Sequence, residues 1–271
     1  MKRSGIITLT TDFGLRDPYV GIIKGVILSI NPLAKIIDIT HQIRPGRIFE
    51  AAAVLTEAYT FFPMGTVHVV VVDPGVGSHR RPILVSTEAH FMVGPDNGVL
   101  WPIVEIHQPA EIIHLTESEY FLPRVSHTFH GRDIFAPVAA HLTKGISPLK
   151  MGHLLENPRR LEFPAPREGK TALSGQVIRV DRFGNLITNI RQTDLERFLK
   201  KNSPVIRIGD LTVKRMCATY SAAPEGEALA LIGSSGRLEV AVNLGRACDR
   251  TGLEAENTVG MTIVVTKRKR G

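Results

Sequence analysis

The sequence predicts an α/β protein: an N-terminal three-layer α/β sheet domain followed by a smaller all-β, barrel-like C-terminal domain. Three observations lead there. Strand and helix signals alternate from Ile6 to Gly145. A tract rich in proline and arginine, "ENPRRLEFPAPREGKTAL", then breaks the pattern. Beyond it lie short strand-like runs separated by Gly, Asp and Ser turns. The expected boundaries are 1–155 for the α/β domain, 156–172 for a linker and 173–271 for the barrel-like domain.

The elements follow in order. "GIITLTTDFG" reads as a strand stopped by Asp-Phe-Gly, and "PYVGIIKGVILSI" has apolar residues at helical spacing until Asn31-Pro32. "AKIIDITHQI" is a second strand and "IFEAAAVLTEAYTFF" a helix ended by Pro63-Met64-Gly65. "TVHVVVVDPG" is a third strand, apolar on both faces, and "HFMVGPDNGVL" a fourth. "GRDIFAPVAAHLTKG" is a helix closed by Gly145. This order implies a parallel or mixed sheet with helices on both sides, and such sheets bind ligands outside the carboxyl ends of their strands. In the second half, "SGQVIRVDRFGNLITNI", "PVIRIGDLTVKRM", "ALALIGSSGRLEVAVN" and "MTIVVTKRKR" supply strands, and "TDLERFLKK" one short helix.

The 271 residues are 43% hydrophobic and 22% charged, an ordinary globular balance. No run reaches the ~18 apolar residues needed to span a bilayer, and Met1-Lys2-Arg3 does not begin a secretory leader. A cytoplasmic protein is expected, and Cys217 and Cys248 have no metal-ligand spacing. The net charge of +7 permits nucleic-acid binding. However, part of the excess sits in Lys267-Arg268-Lys269-Arg270, Arg159, Arg160 and Arg167, and the interleaved aromatics of a single-strand binder are missing. Neither a nucleic-acid partner nor a membrane is expected.

Chemistry-bearing residues gather at the strand ends. Asp12 follows the first strand, where a carboxylate can accept hydrogen bonds from ribose hydroxyls; Asp17 before Pro18 also suits a helix start. The third strand runs into "DPGVGSHRR", bringing Asp73, Arg80 and Arg81 to the same rim, with Gly75 and Gly77 allowing positive φ and close ligand approach. The loop is neither a dinucleotide fingerprint nor a Walker motif. "SHTFHGRDIF" sets His127, His130, Arg132 and Asp133 before a helix, and His130 could act as a base or an orienting group. A zinc site on His127 and His130 lacks any supporting motif. In the barrel half, Phe183 could stack on a planar base and Asn185 could read its edge, while the "GSSG" turn offers the Ser234 hydroxyl.

Taken as an ordered set, "TTDFGxxDxYVGxxKG", "DPGVGSxRR", "TFHGRDIFAPVAA", "DxFGNLxTNI" and "GSSGxLExAVN" resemble the S-adenosyl-L-methionine hydroxide adenosyltransferase family, homologous to the enzymes that make fluoro- and chloroadenosine. The resemblance runs from residue 6 to about 262. It implies a homotrimer with sites between the N-domain of one subunit and the C-domain of its neighbour. It also implies hydrolysis of S-adenosyl-L-methionine to adenosine and L-methionine, with no cofactor and no metal. The family's Asp-Arg-His set falls on Asp73, Arg80 and His130 and its ribose-binding carboxylate on Asp12. Methionine-end contacts fall on Asp17, Asp181 and Ser234, and adenine contacts on Phe183 and Asn185. Whether Asp73 or His130 takes the proton, and whether Arg80 or Arg81 is the cation, stays open. The competing readings are a non-catalytic S-adenosylmethionine or adenosine binder, which would have no need of Asp73, Arg80 and His130, and a halide adenosyltransferase, whose anion the Asp73 carboxylate would repel.

Overall fold

The computed structural model describes residues 2–162, 164–252 and 255–268. Lys269 and Arg270 of the basic run therefore lie outside the described residues. The chain divides into two compact units, Met1–Glu162 and Phe163–Gly271.

The first unit holds seven strands, β1 (Ile6–Thr11), β2 (Lys35–Thr40), β3 (Val67–Val71), β4 (Pro82–Ser86), β5 (Phe91–Pro95), β6 (Glu111–Leu115) and β7 (Gly152–Leu154). They form one mixed sheet in the order β2-β1-β3-β5-β4-β6-β7. The β2-β1-β3-β5 part is parallel, and β4, β6 and β7 add antiparallel. Four helices accompany them: α1 (Tyr19–Ile30), α2 (Ile48–Ala58), α3 (Trp101–Ile106) and α4 (Ala136–Thr143). The run "HFMVGPDNGVL", expected as the fourth strand, is β5. β4, α3, β6 and β7 were not anticipated, because segments of three to six residues are too short to establish a period of their own.

All five residues of β3 are buried, as its β-branched run demands of a central strand. Alternation sends Val67, Val69 and Val71 to one face, where they pack with Ile23 and Ile27 of α1 and Val138 and Ala139 of α4. His68 points to the other face, edge-on to Tyr59 just beyond α2. There its Nδ1 pairs with Thr8 Oγ1 at 2.8 Å. Burial, reinforced by neighbouring His90, lowers the His68 pKa to about 3. Its unfolded value is near 6.5, so the unfolded chain takes up a proton first as pH falls. Stability is then full above about pH 6.5 and declines toward pH 3 by up to ~1.4 kcal/mol per unit. In urea titrations between pH 7.5 and 4.5, His68→Asn, which can still pair with Thr8 but does not titrate, is expected to flatten this decline. Parallel profiles would refute the assignment.

The second unit contains β8 (Arg167–Glu168), β9 (Ala172–Val180), β10 (Leu186–Arg191), β11 (Pro204–Ile208), β12 (Leu211–Val213), β13 (Ala228–Ile232), β14 (Arg237–Val242) and β15 (Thr262–Lys267), with helices α5 (Gln192–Leu199) and α6 (Ala255–Thr258). The strand path is β12-β11-β15-β9-β10-β14-β13, with β8 on β9. A bridge between Met216, just past β12, and Ala230 of β13 ties the two ends of the path together and makes the sheet barrel-like. Leu173, Leu186, Phe198, Val240 and Val265 fill its interior. Among the described residues, no helix is long and apolar enough to cross a membrane.

Candidate active site

Parallel pairing of β1 and β3 sets Thr11 beside Val71, so Asp12 and Asp73 emerge from neighbouring carboxyl ends. Both line a cavity of about 890 Å³ together with Val71, Ser126, Thr128 and His130. Burial raises the Asp12 pKa and the nearby charge of Asp73 adds to it, against a hydrogen bond from Gly46 N–H at 2.8 Å.

Past β3 the chain turns sharply, Val76 N–H bonding to the Asp73 carbonyl and Ser78 N–H to the Gly75 carbonyl. The turn brings Arg80 back onto Asp73. Arg80 Nε donates to both carboxylate oxygens, at 3.0 and 2.9 Å, and Nη2 donates to Oδ2 as well. The two side chains are only 7% and 5% exposed, a desolvated pair rather than a surface one. Arg80 Nη2 also donates to His130 Nδ1 at 2.8 Å, and the guanidinium lies over the Phe135 ring. Burial, then the Arg80 charge, pushes the His130 pKa below its ordinary value, so the imidazole is neutral at pH 7. Arg80 Nη1 is buried and has no protein partner among the described residues. Arg81 turns the other way, to Asp96 and Asn157. Of the two adjacent arginines, Arg80 joins the carboxylate and the imidazole.

Gly77 has φ +76°, and a Cβ there would lie 2.2 Å from the His127 carbonyl oxygen. Its positive φ lets the two site loops come into contact. Gly75 has no such constraint. Asp17 is exposed and outside the cavity lining. It does not cap α1, whose N-cap is Pro18; the residue before the helix is thus the proline itself rather than the aspartate. The aromatic wall of the cavity escaped sequence reasoning: Phe13, Tyr19 and Phe129 meet edge-to-face at 5.3–5.9 Å. Two of them sit in the "TTDFGLRDPYVG" run, but their convergence with Phe129 depends on the fold.

In the second unit the β9–β10 turn is closed by its own side chains. Asn185 N–H and Nδ2 each donate at 2.9 Å to Asp181. With Phe183, 74% exposed, and Tyr220 they line a second cavity of about 540 Å³. Ser234 sits in the tight β13–β14 turn and is not part of that lining. A wider groove of about 1090 Å³ opens beside Arg3, Ser86 and Phe91 and carries no comparable acid-cation-imidazole group. Among the described residues, no group of three or more His, Cys, Asp or Glu is placed to hold a metal ion.

These features define an α/β unit with a cavity and a charged cluster at its strand ends, followed by a barrel-like unit with a pocket of its own. The pattern of the SAM hydroxide adenosyltransferase N-terminal domain matches residues 7–152, and that of the C-terminal domain matches residues 175–260. The chain belongs to the SAM hydroxide adenosyltransferase family. It is 36% identical over 263 residues to a protein of Salinispora tropica named (R)-S-adenosyl-L-methionine hydrolase, covering 94% of this chain and 97% of the relative. A fluorinase of an Actinoplanes species is 28% identical, with 97% of each chain covered. A solved structure of an uncharacterized conserved protein from Thermotoga maritima superposes with a TM-score of 0.89 at 38% identity, covering 96% of this chain and all of that one.

Proposed function

We propose that the protein hydrolyses S-adenosyl-L-methionine to adenosine and L-methionine, and that Asp73, Arg80 and His130 act on the attacking water. The observation that carries this reading is the closure of those three side chains on one another beside the cavity that also holds Asp12. The water oxygen attacks C5′ in line with sulfur. The C5′–S bond breaks, its electron pair stays on sulfur, and methionine departs as a neutral thioether, so no acid is needed on the leaving side. Pinning both ends of the substrate could supply up to ~7–11 kcal/mol, with Asp12 on the ribose hydroxyls.

His130 Nδ1 already accepts from Arg80, so the imidazole offers no free lone pair in this arrangement. Asp73 faces the cavity and takes the proton, while Arg80 supports the charge developing on oxygen. The pocket of the second unit supports the other half of the reading: it is lined by Phe183 and Asn185, for the adenine, and by Asp181, for the methionine end. Ser234 and Asp17, which line neither cavity, are assigned to the methionine end on the family resemblance. Asp12, Asp73, Arg80 and His130 lie in the first unit and Asp181, Phe183 and Asn185 in the second, and the exposed Phe183 and Leu244 (81%) are apolar surface that a neighbour would cover; a homotrimer with sites between subunits fits both facts. The protein needs no cofactor on this reading.

The test is incubation with S-adenosylmethionine in ¹⁸O-water. Adenosine carrying ¹⁸O at the 5′ position, with an equal amount of methionine, is the expected result. Binding without turnover would mean a sensor, and a 5′-halo product in added halide would mean halide transfer; either would overturn hydrolysis. Light scattering of the eluted protein checks the trimer.

A further inference from the structure

We propose that Asp133 is a positioning residue for this reaction, acting through Ser126 to hold the loop that carries His130 against the cavity. The inference rests on the functional reading above and extends it to a residue that does not line the cavity itself. Asp133 is fully buried, with no exposed surface, on a π-helical turn spanning Gly131–Phe135 that leads into α4. π-Turns are uncommon and cluster at functional sites.

Four donors converge on the Asp133 carboxylate. Ser126 N–H and Oγ–H reach Oδ2 at 2.8 and 2.7 Å. Arg132 Nε reaches Oδ1 at 2.5 Å and Nη2 reaches Oδ2 at 3.1 Å. Burial works against the charge, and the bonds from Arg132 and Ser126 overcome it, holding the carboxyl below its ordinary pKa. Ser126 Oγ in turn accepts from Phe129 N–H at 3.2 Å, and Asp133 N–H returns to the Phe129 carbonyl at 3.0 Å. The segment from Ser126 to Asp133 is thus folded back on a single carboxylate.

That segment supplies Ser126, Thr128, Phe129 and His130 to the cavity wall, and the Ser126 backbone lies near enough to the His130 imidazole to favour its protonated form. Moving Ser126 moves the imidazole, and with it the nitrogen that accepts from Arg80. Only an ionised carboxylate suits the place. An amide offers a single acceptor oxygen and would turn two hydrogens toward the remaining donors.

Asp133→Ala removes the whole tie, whereas Ser126→Ala removes its hydroxyl part, the bonds to Asp133 Oδ2 and from Phe129 N–H, and leaves the backbone N–H on the carboxylate. Asp133→Ala is expected to lower kcat for adenosine release by up to ~100-fold and Ser126→Ala by ~10-fold, within the scale of an ångström-level misplacement. KM should stay within about threefold of the parent, because the loss falls on transition-state geometry. The double variant should be no slower than the slower single one. Multiplying effects, a rise in KM at constant kcat, or two near-normal single variants would each overturn the proposal. If Asp133→Ala does not fold, Ser126→Ala carries the test. A second readout is free of turnover: the ¹⁵N resonances of the His130 ring in histidine-labelled protein. One protonated and one unprotonated nitrogen are expected in the parent, and tautomer averaging in either variant. Unchanged resonances would refute the clamp even if the parent chain proved inactive on S-adenosylmethionine, so the two ideas fail separately.

Discussion

Asp73→Ala is expected to lower adenosine formation at least ~10²-fold, the lower end of what a positioned proton acceptor contributes, while S-adenosylmethionine still binds. The reason lies in the double duty of this carboxylate. It faces the cavity, and it neutralises a guanidinium that is only 7% exposed. Removing it leaves Arg80 buried and uncompensated, a loss on the order of 3–5 kcal/mol in stability, and frees the guanidinium to leave His130. Activity must therefore be measured per folded molecule, with the melting temperature recorded beside it and substrate affinity by calorimetry. A folded Asp73→Ala protein with turnover within about threefold of the parent would end the proposed role. Loss of binding together with turnover would move Asp73 from the chemistry to substrate recognition.

The second large effect is expected at a residue with no side chain. Gly77→Ala puts a methyl group 2.2 Å from the His127 carbonyl oxygen, at φ +76°. The left-handed backbone alone costs a non-glycine residue roughly 1–2 kcal/mol, and the clash is with backbone, which cannot rotate away. The loop bearing Arg80 must then retreat from the loop bearing His130. Turnover is expected to fall by ~10²-fold through misplacement of the cluster. Gly75→Ala, two residues earlier, meets its neighbours no closer than 3.5 Å and should act far more weakly. Equal effects of the two substitutions on kcat would show that the contact with His127 does not hold the loops together.

The legible parts of this protein share a physical basis. β3 could be read because five consecutive residues bury both faces of a central strand, and the β9–β10 hairpin because Gly184, at φ +82°, marks its turn. β4, β6 and β7 were illegible because short antiparallel strands carry their signal in their partners rather than in their own spacing. Asp12, Asp73, Arg80 and His130 stood out because carboxylates, a guanidinium and an imidazole follow apolar strands or precede a helix. Nothing local distinguished Arg80 from Arg81, and nothing local joined Phe13, Tyr19 and Phe129 into one wall.

By itself the amino-acid order determined the classes of the two halves, the location of charge at strand ends and the ordered motifs that mark the family. Those properties depend on burial periodicity and backbone freedom, which act over a few residues. Tertiary structure alone decided that Arg80 rather than Arg81 meets Asp73 and His130, that Gly77 backs onto His127, and that Asp133 closes the His130 loop through Ser126. Each of those depends on a contact made across 7 to 50 residues of chain, a distance at which one peptide unit's turn reverses the partner and no local preference applies.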